Sequence, residues 1–212
     1  MRIEFWLDFI CPMTYLTHKN LTEAIKELGL QNYEFYYRSF QVKEADFSGD
    51  VVDLFLEHHC NQSKESNIKF LEDNFPNYRN FKFYNTNLAH QLSHLSKHQK
   101  KAVETNTAIF EAYFEDGLDI SNKDVLMSIA KNVGLDLNDS EITLDTRCYT
   151  NQIAINKENA SGRGIVEIPH IRVNVKNNYN GYLSKEEIKN TLIDIINKKG
   201  VKFEVCGELC EF

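Results

Sequence analysis

The junction Asp8-Phe9-Ile10-Cys11-Pro12-Met13-Thr14-Tyr15-Leu16 constrains this chain more than any other stretch. The apolar run before it, Ile3 to Leu7, reads as a buried strand, and the segment after it, through Leu28, reads as a long helix. Proline suits the first helical position because the N–H it lacks has no intrahelical partner there and its φ is already helical. Pro12 therefore fixes Cys11 at the helix cap, where free backbone N–H groups and the positive end of the helix dipole favour an anion. A thiol held there loses its proton more readily, and the thiolate is the species that attacks disulfides and electrophiles. The same position also suits the common fate of a free cysteine, a small hydrophobe in the core. From the junction alone, both readings stand.

The rest of the chain says what surrounds that junction. Gly29 is a helix stop, and the aromatic-rich stretch Asn32 to Phe40 reads as a second strand, which makes strand–helix–strand, enough for a parallel crossover. The periodicity then turns helical. Helices are expected over Asp50 to Cys60, Glu65 to Phe75, Asn87 to Lys101, Thr105 to Glu115 and Val125 to Val133, with Gly134 closing the last. One more helix, Leu144 to Ala160, leads back to the sheet. Strand signals return at Ile168 to Asn174 and around Asn180 to Leu183, with Lys176-Asn177-Asn178 as the hairpin turn. Ser184 and Glu187 form a capping box for a final helix whose core face is Ile188, Leu192, Ile195 and Ile196. The fold class is therefore α/β, a thioredoxin fold with a large all-helical insertion. Residues 1–41 and 144–212 make the discontinuous thioredoxin-like domain, and 42–143 the inserted helical subdomain.

Composition narrows the partners. A net charge of −7 gives no basic footprint for nucleic acid, and no apolar run approaches the ~18–20 residues of a membrane-spanning helix. The N-terminus enters the first strand without the pattern of an export signal. Five cysteines in 212 residues are an odd, scattered set rather than a disulfide framework, so a cytoplasmic location with resting thiols reduced is expected.

On these residues the chain resembles the DsbA-like thioredoxin-fold family, and within it the FrnE-type branch, a relative of 2-hydroxychromene-2-carboxylate isomerases and kappa-class glutathione transferases. The resemblance rests on Asp8-Phe9-Ile10-Cys11-Pro12, on Asn85-Thr86-Asn87-Leu88-Ala89-His90, on Ile109 to Gly117 with Asp119-Ile120, and on Gly164-Ile165-Val166-Glu167-Ile168-Pro169, in that order. It implies a cis Pro169 against Cys11, with the backbone before it offering strand-like hydrogen bonds to a bound peptide or thiol. It also implies substrate contacts from Pro12, Met13, Ile168, Pro169, His170 and His90. Redox members carry Cys-x-x-Cys; here Thr14 stands where the second thiol belongs, so no disulfide can form within the motif. Cys11 and Thr14 are then the catalytic pair, with Thr14 donating a hydrogen bond to the thiolate and another thiol resolving any mixed disulfide.

Other candidates carry weaker signals. Cys206 and Cys210 near the end of the chain make a second redox pair, a resolving partner for Cys11, or two incidental exposed thiols. Cys60 and Cys148 read as core residues or bystanders. His90, His94 and His98 share one helix face, but Lys97, Lys100 and Lys101 oppose a cation, so a solvated or substrate-facing stripe is expected and no metal site. His170 follows Pro169 and either tunes the thiolate or packs as a structural histidine. Trp6 and Phe9 read as packing residues.

Three functions compete. The first is a cytoplasmic thiol–disulfide oxidoreductase working through the single thiolate of Cys11, with Cys206 or Cys210 open as resolving thiols. The second is a glutathione-dependent isomerase or transferase. The third is a peptide-binding, chaperone-like module without chemistry. The favoured reading is the first: no cofactor is required, glutathione is admitted, and the partners are thiol- or disulfide-bearing proteins or small molecules. A homodimer is left open.

Overall fold

A computed structural model of the chain describes residues 1–43, 47, 49–59 and 62–198. Cys60 and the pair Cys206 and Cys210 lie outside the described residues. The expected α/β order is present. β1 (Arg2–Leu7), α1 (Pro12–Glu27) and β2 (Glu34–Ser39) form the crossover, with β1 and β2 parallel from Arg2↔Glu34 to Leu7↔Ser39. The helices α2 (Val51–His58), α3 (Lys64–Asn74), α4 (Asn87–His98), α5 (Ala102–Phe114), α6 (Lys123–Val133), α7 (Leu137–Thr146) and α8 (Thr150–Ser161) follow. β3 (His170–Val173), β4 (Asn177–Asn180) and α9 (Lys185–Lys198) complete a four-stranded mixed sheet in the order β2-β1-β3-β4. No helix among the described residues is long and apolar enough to cross a membrane.

The two faces of the sheet differ as strand alternation requires. Ile3, Phe5 and Leu7 are buried on the side of α1, where Phe5 meets His18 and Tyr37. Ile188, Leu192, Ile195 and Ile196 of α9 are buried as expected, and α9 packs along α1, with Lys185 pairing to Glu23 and Glu27. On the other face Glu4 is buried and accepts from Arg38 of β2 and from Arg172 of β3.

Several boundaries depart from the sequence reading, each for a local reason. The helix expected over Leu144 to Ala160 is two helices, α7 and α8, broken at Arg147, which adopts a left-handed φ of 51° at the α7 cap. Left-handed C-caps are usually glycine, so an arginine there hides the break. Asn177 and Asn178, expected as a turn, instead lie in β4, and the reversal falls at Asn174 and Val175, both with positive φ. The capping box holds as expected: the Glu187 carboxylate accepts from Ser184 N at 2.8 Å.

Candidate active site

Cys11 caps α1 as its sequence context requires, with extended φ and ψ of −90° and 115°, Pro12 in the first turn, and Cys11 O accepting the first helical hydrogen bond from Tyr15 N at 3.1 Å. Three groups of the first turn favour a thiolate: the Thr14 hydroxyl, the Thr14 N–H and the Met13 N–H. The Thr14 hydroxyl is fully buried and has no hydrogen-bonding oxygen or nitrogen partner among the described residues. These groups are outweighed. Burial, with a smaller contribution from the Asp8 carboxylate, pushes the Cys11 thiol up to about 11. Of the two readings the junction leaves standing, this closed arrangement fits the buried, protonated thiol, because water is excluded from a residue only 5% exposed.

What excludes the water is α2. Cys11 opens onto a slot of about 10 Å³, room for roughly one water, lined by Val42, by Val51, Leu54 and Phe55 of α2, and by His58 and His59 at its end. His59 Nε2 stands 3.5 Å from Cys11 Sγ. Burial holds the His59 imidazole down at about 3, and the adjacent His58 adds to the shift. Asp8 fixes the other wall: its buried carboxylate accepts from Phe9 N and from Val42 N, both at 2.8 Å, tying the junction to the loop after β2. His59 is the site residue that the sequence reading missed. It lies 48 residues from Cys11 on a helix whose apolar pattern marks a core face but not what that face covers.

The Ile168–Pro169 peptide is cis, and both residues are buried. His170 pairs with Trp6 across β3 and β1, which places Pro169 beyond the last pair, at the end of the sheet where β1 hands over to Cys11. His170 itself belongs to the Trp6 side of the sheet. Its ring meets the Trp6 indole edge-on at 5.3 Å, its Nδ1 bonds Asn180, and burial holds its pKa below the ordinary histidine value. The face it occupies is the one away from α1, so the structural reading of His170 fits the geometry better than a contact with the sulfur. Met13 is 1% exposed and Pro12 is buried, so neither offers open surface here.

Of the α4 histidines, expected as a solvated or substrate-facing stripe, His98 is exposed while His90 and His94 turn inward. His90 is buried, 3.4 Å from the Asp8 carboxylate and packed on Phe9, beneath the junction rather than on an open groove. His94 Nε2 meets Ser39 Oγ at 3.1 Å, and the His94 and His98 rings stack on Tyr149. Trp6 and Phe9 are core residues, as expected, whereas Cys148 is exposed. No cluster of three or more His, Cys, Asp or Glu that could hold a metal occurs among the described residues. Two larger clefts, of about 340 Å³ by Tyr84 and Tyr113 and about 330 Å³ by Asn87 and Arg147, include neither Cys11 nor Pro169.

Comparison with known proteins places this geometry. The protein YwbO of Bacillus subtilis (strain 168) is 28% identical over 151 residues, 70% of this chain and 74% of that protein. A probable DsbA oxidoreductase from Streptomyces coelicolor superposes with a TM-score of 0.77 at 19% identity, covering 100% of this chain and 95% of that one. The cytosolic disulfide reductase DsbM from Pseudomonas aeruginosa superposes with a TM-score of 0.67 at 10% identity over 93% of this chain and 100% of that one, and a structure of DsbM with GSH also matches. The family model of the DSBA-like thioredoxin domain matches residues 2–192, nearly the whole chain. With the capped cysteine, the cis-proline and the four-stranded sheet in place, the chain belongs to the DSBA-like thioredoxin domain family.

Proposed function

We propose that this protein is a thiol–disulfide oxidoreductase that works through Cys11 alone. The observation that carries the reading is the placement of a single cysteine at the α1 cap, ahead of Pro12 and with Thr14 in the same first turn, at the sheet end that carries the cis Ile168–Pro169 peptide. Cys11 attacks a disulfide, forms a mixed disulfide with one half and releases the other as a thiol. Thr14 cannot displace the bound half, so a second thiol from solution does so and restores Cys11. A small cytoplasmic thiol such as glutathione fits that role, and the match to a cytosolic disulfide reductase solved with GSH supports it. The substrates are disulfide-bearing proteins or small molecules, and the compartment is the cytoplasm.

The cost of the closed slot is that Cys11 reacts only when the apolar side chains of α2 give way. The reading is tested by glutathione-coupled reduction of a protein disulfide. Wild type is expected above background and Cys11→Ser at background. Equal rates for the two proteins overturn it.

A further inference from the structure

We propose that His59 is the catalytic acid–base partner of Cys11, taking the thiol proton as the sulfur attacks and returning it to the departing thiolate. The inference rests on the exchange chemistry proposed above and names the residue that makes it work from a closed site.

Both residues are buried, Cys11 at 5% and His59 at 4% exposure, and the slot between them and α2 holds about one water. The same exclusion of water that keeps the thiol protonated keeps the imidazole neutral. The resting pair is therefore an uncharged thiol beside an uncharged imidazole, and no thiolate is stored before substrate arrives. A proton acceptor must then act at the moment of attack, and it must lie within reach of the sulfur.

His59 Nε2, at 3.5 Å from Sγ, is that acceptor. His58 lines the same slot with a buried, unpaired Nε2, but the contact to the sulfur is made by His59. The remaining polar groups nearby are committed or unsuited. The Asp8 carboxylate accepts from Phe9 N and Val42 N and carries a charge that opposes a thiolate. The Thr14 hydroxyl donates to a thiolate but is no base. His170 sits on the Trp6 face.

The backbone of His59 is also held from outside α2. Asn67 of α3, itself buried, donates its Nδ2 to His59 O at 2.9 Å, and Gln62 N donates to the same oxygen at 3.2 Å. The ring packs between Phe55 at 4.7 Å and His58 at 5.1 Å. The two hydrogen bonds to His59 O therefore keep its backbone in place when the apolar side chains of α2 shift to admit a substrate. The ionisable group that faces it besides Cys11 is His58, which in turn feels Glu167, Asp8, Glu57 and Lys43.

The step balances. The Cys11 S–H proton passes to His59 Nε2 as the Cys11 sulfur bonds to one sulfur of R–S–S–R′ and the old S–S bond breaks. R′–S⁻ then takes the proton from His59 and leaves as R′–SH. The return step, with a small thiol R″–SH, runs the same transfer in reverse and yields R–S–S–R″ and Cys11 thiol. No other oxidant or reductant is needed.

The test is the rate of Cys11 alkylation by iodoacetamide against pH, read on the Cys11 peptide by mass spectrometry so that the other cysteines do not interfere. Wild type is expected to hold a base-assisted rate plateau at neutral pH, below the step set by the thiol itself. His59→Gln is expected to show the thiol's step alone and to react about 10- to 100-fold more slowly at pH 7. His59→Ala with added imidazole is expected to regain part of the rate, which a packing role would not allow. Superimposable wild-type and His59→Gln profiles overturn the proposal, and so does a slowed His59→Ala that imidazole leaves unchanged. If neither variant folds, the wild-type profile decides: a single step at the thiol's own pKa with no plateau below it overturns it. The readout needs no disulfide turnover, so a neutral-pH plateau in a protein that fails to exchange disulfides counts against the oxidoreductase reading and not against the pair.

Discussion

Glu4 on the first strand and Arg172 on the third are joined by an ion pair that closes 168 residues of chain, with Nε and Nη2 of Arg172 both donating to one carboxylate oxygen. Arg38 from the second strand takes the other oxygen at 2.6 Å, and Arg2 reaches it at 3.1 Å. One buried carboxylate thus ties the three strands β1, β2 and β3 at the level of the site. Burial works to raise its pKa, but Arg38 and Arg172 outweigh that and hold Glu4 at about 2.

Glu4→Gln is expected to destabilise the protein by about 2–3 kcal/mol, because three guanidinium groups lose their acceptor in a partly buried place. The pH dependence has a definite sign. A depressed carboxyl pKa adds stability above the unfolded value near 4.5, and that stability is lost as pH falls toward about 2. Urea denaturation at pH 7 and again near pH 3 measures both parts, and the gap between wild type and variant should narrow at the lower pH.

His18 behaves oppositely in residue type but alike in direction. It is 1% exposed, its Nε2 meets Tyr37 Oη at 2.8 Å, and burial holds it at about 3. Below the ordinary value of 6.5 the unfolded chain takes up a proton that the folded chain refuses, so stability is whole above pH 6.5 and declines as pH falls. At pH 5 the loss from this one residue is about 2 kcal/mol. His18→Gln should lack that component, so its stability should fall less between pH 7 and pH 5 in the same denaturation assay.

Thr14 is expected to support the thiolate without replacing a thiol. Thr14→Val should slow Cys11 alkylation about 3- to 10-fold at fixed pH, the worth of one hydrogen bond. Thr14→Cys should form a disulfide with Cys11 under mild oxidation, visible as the loss of two alkylation sites by mass spectrometry.

Phe55 tests the cover over the sulfur. Its ring lines the slot and packs on His59 at 4.7 Å. Phe55→Ala should admit water, move the Cys11 thiol down from about 11 toward its ordinary value, and speed alkylation at neutral pH severalfold. A stability loss of about 3 kcal/mol is expected with it, measured by thermal unfolding.

Much of this arrangement was legible in the sequence, and the reasons are local. Pro12 after Cys11 announces a helix cap, Gly29 and Gly134 announce helix ends, and Ser184 with Glu187 announces a start, because each acts on backbone within one turn. What stayed hidden depends on distance in the fold. His59 reaches Cys11 only because α2 lies across the end of the sheet, and Val51, Leu54 and Phe55 say that this face is buried without saying against what. The shifts of Cys11 and His59 follow from that burial and were illegible for the same reason. His90 read as part of a solvated or substrate-facing stripe because its neighbour in the fold, Asp8, is far away in sequence. β4, Asn-Asn-Tyr-Asn, carries the composition of a turn yet pairs as an edge strand, since the pairing uses backbone and not side chains.

The most direct measurement is intact and peptide mass spectrometry after incubation with oxidised glutathione. The account expects a glutathione adduct on Cys11 that persists until a second thiol is added, since Thr14 cannot release it, and no such adduct at that position in Cys11→Ser. Adducts confined to other cysteines, with Cys11 left free at every pH tried, would contradict it.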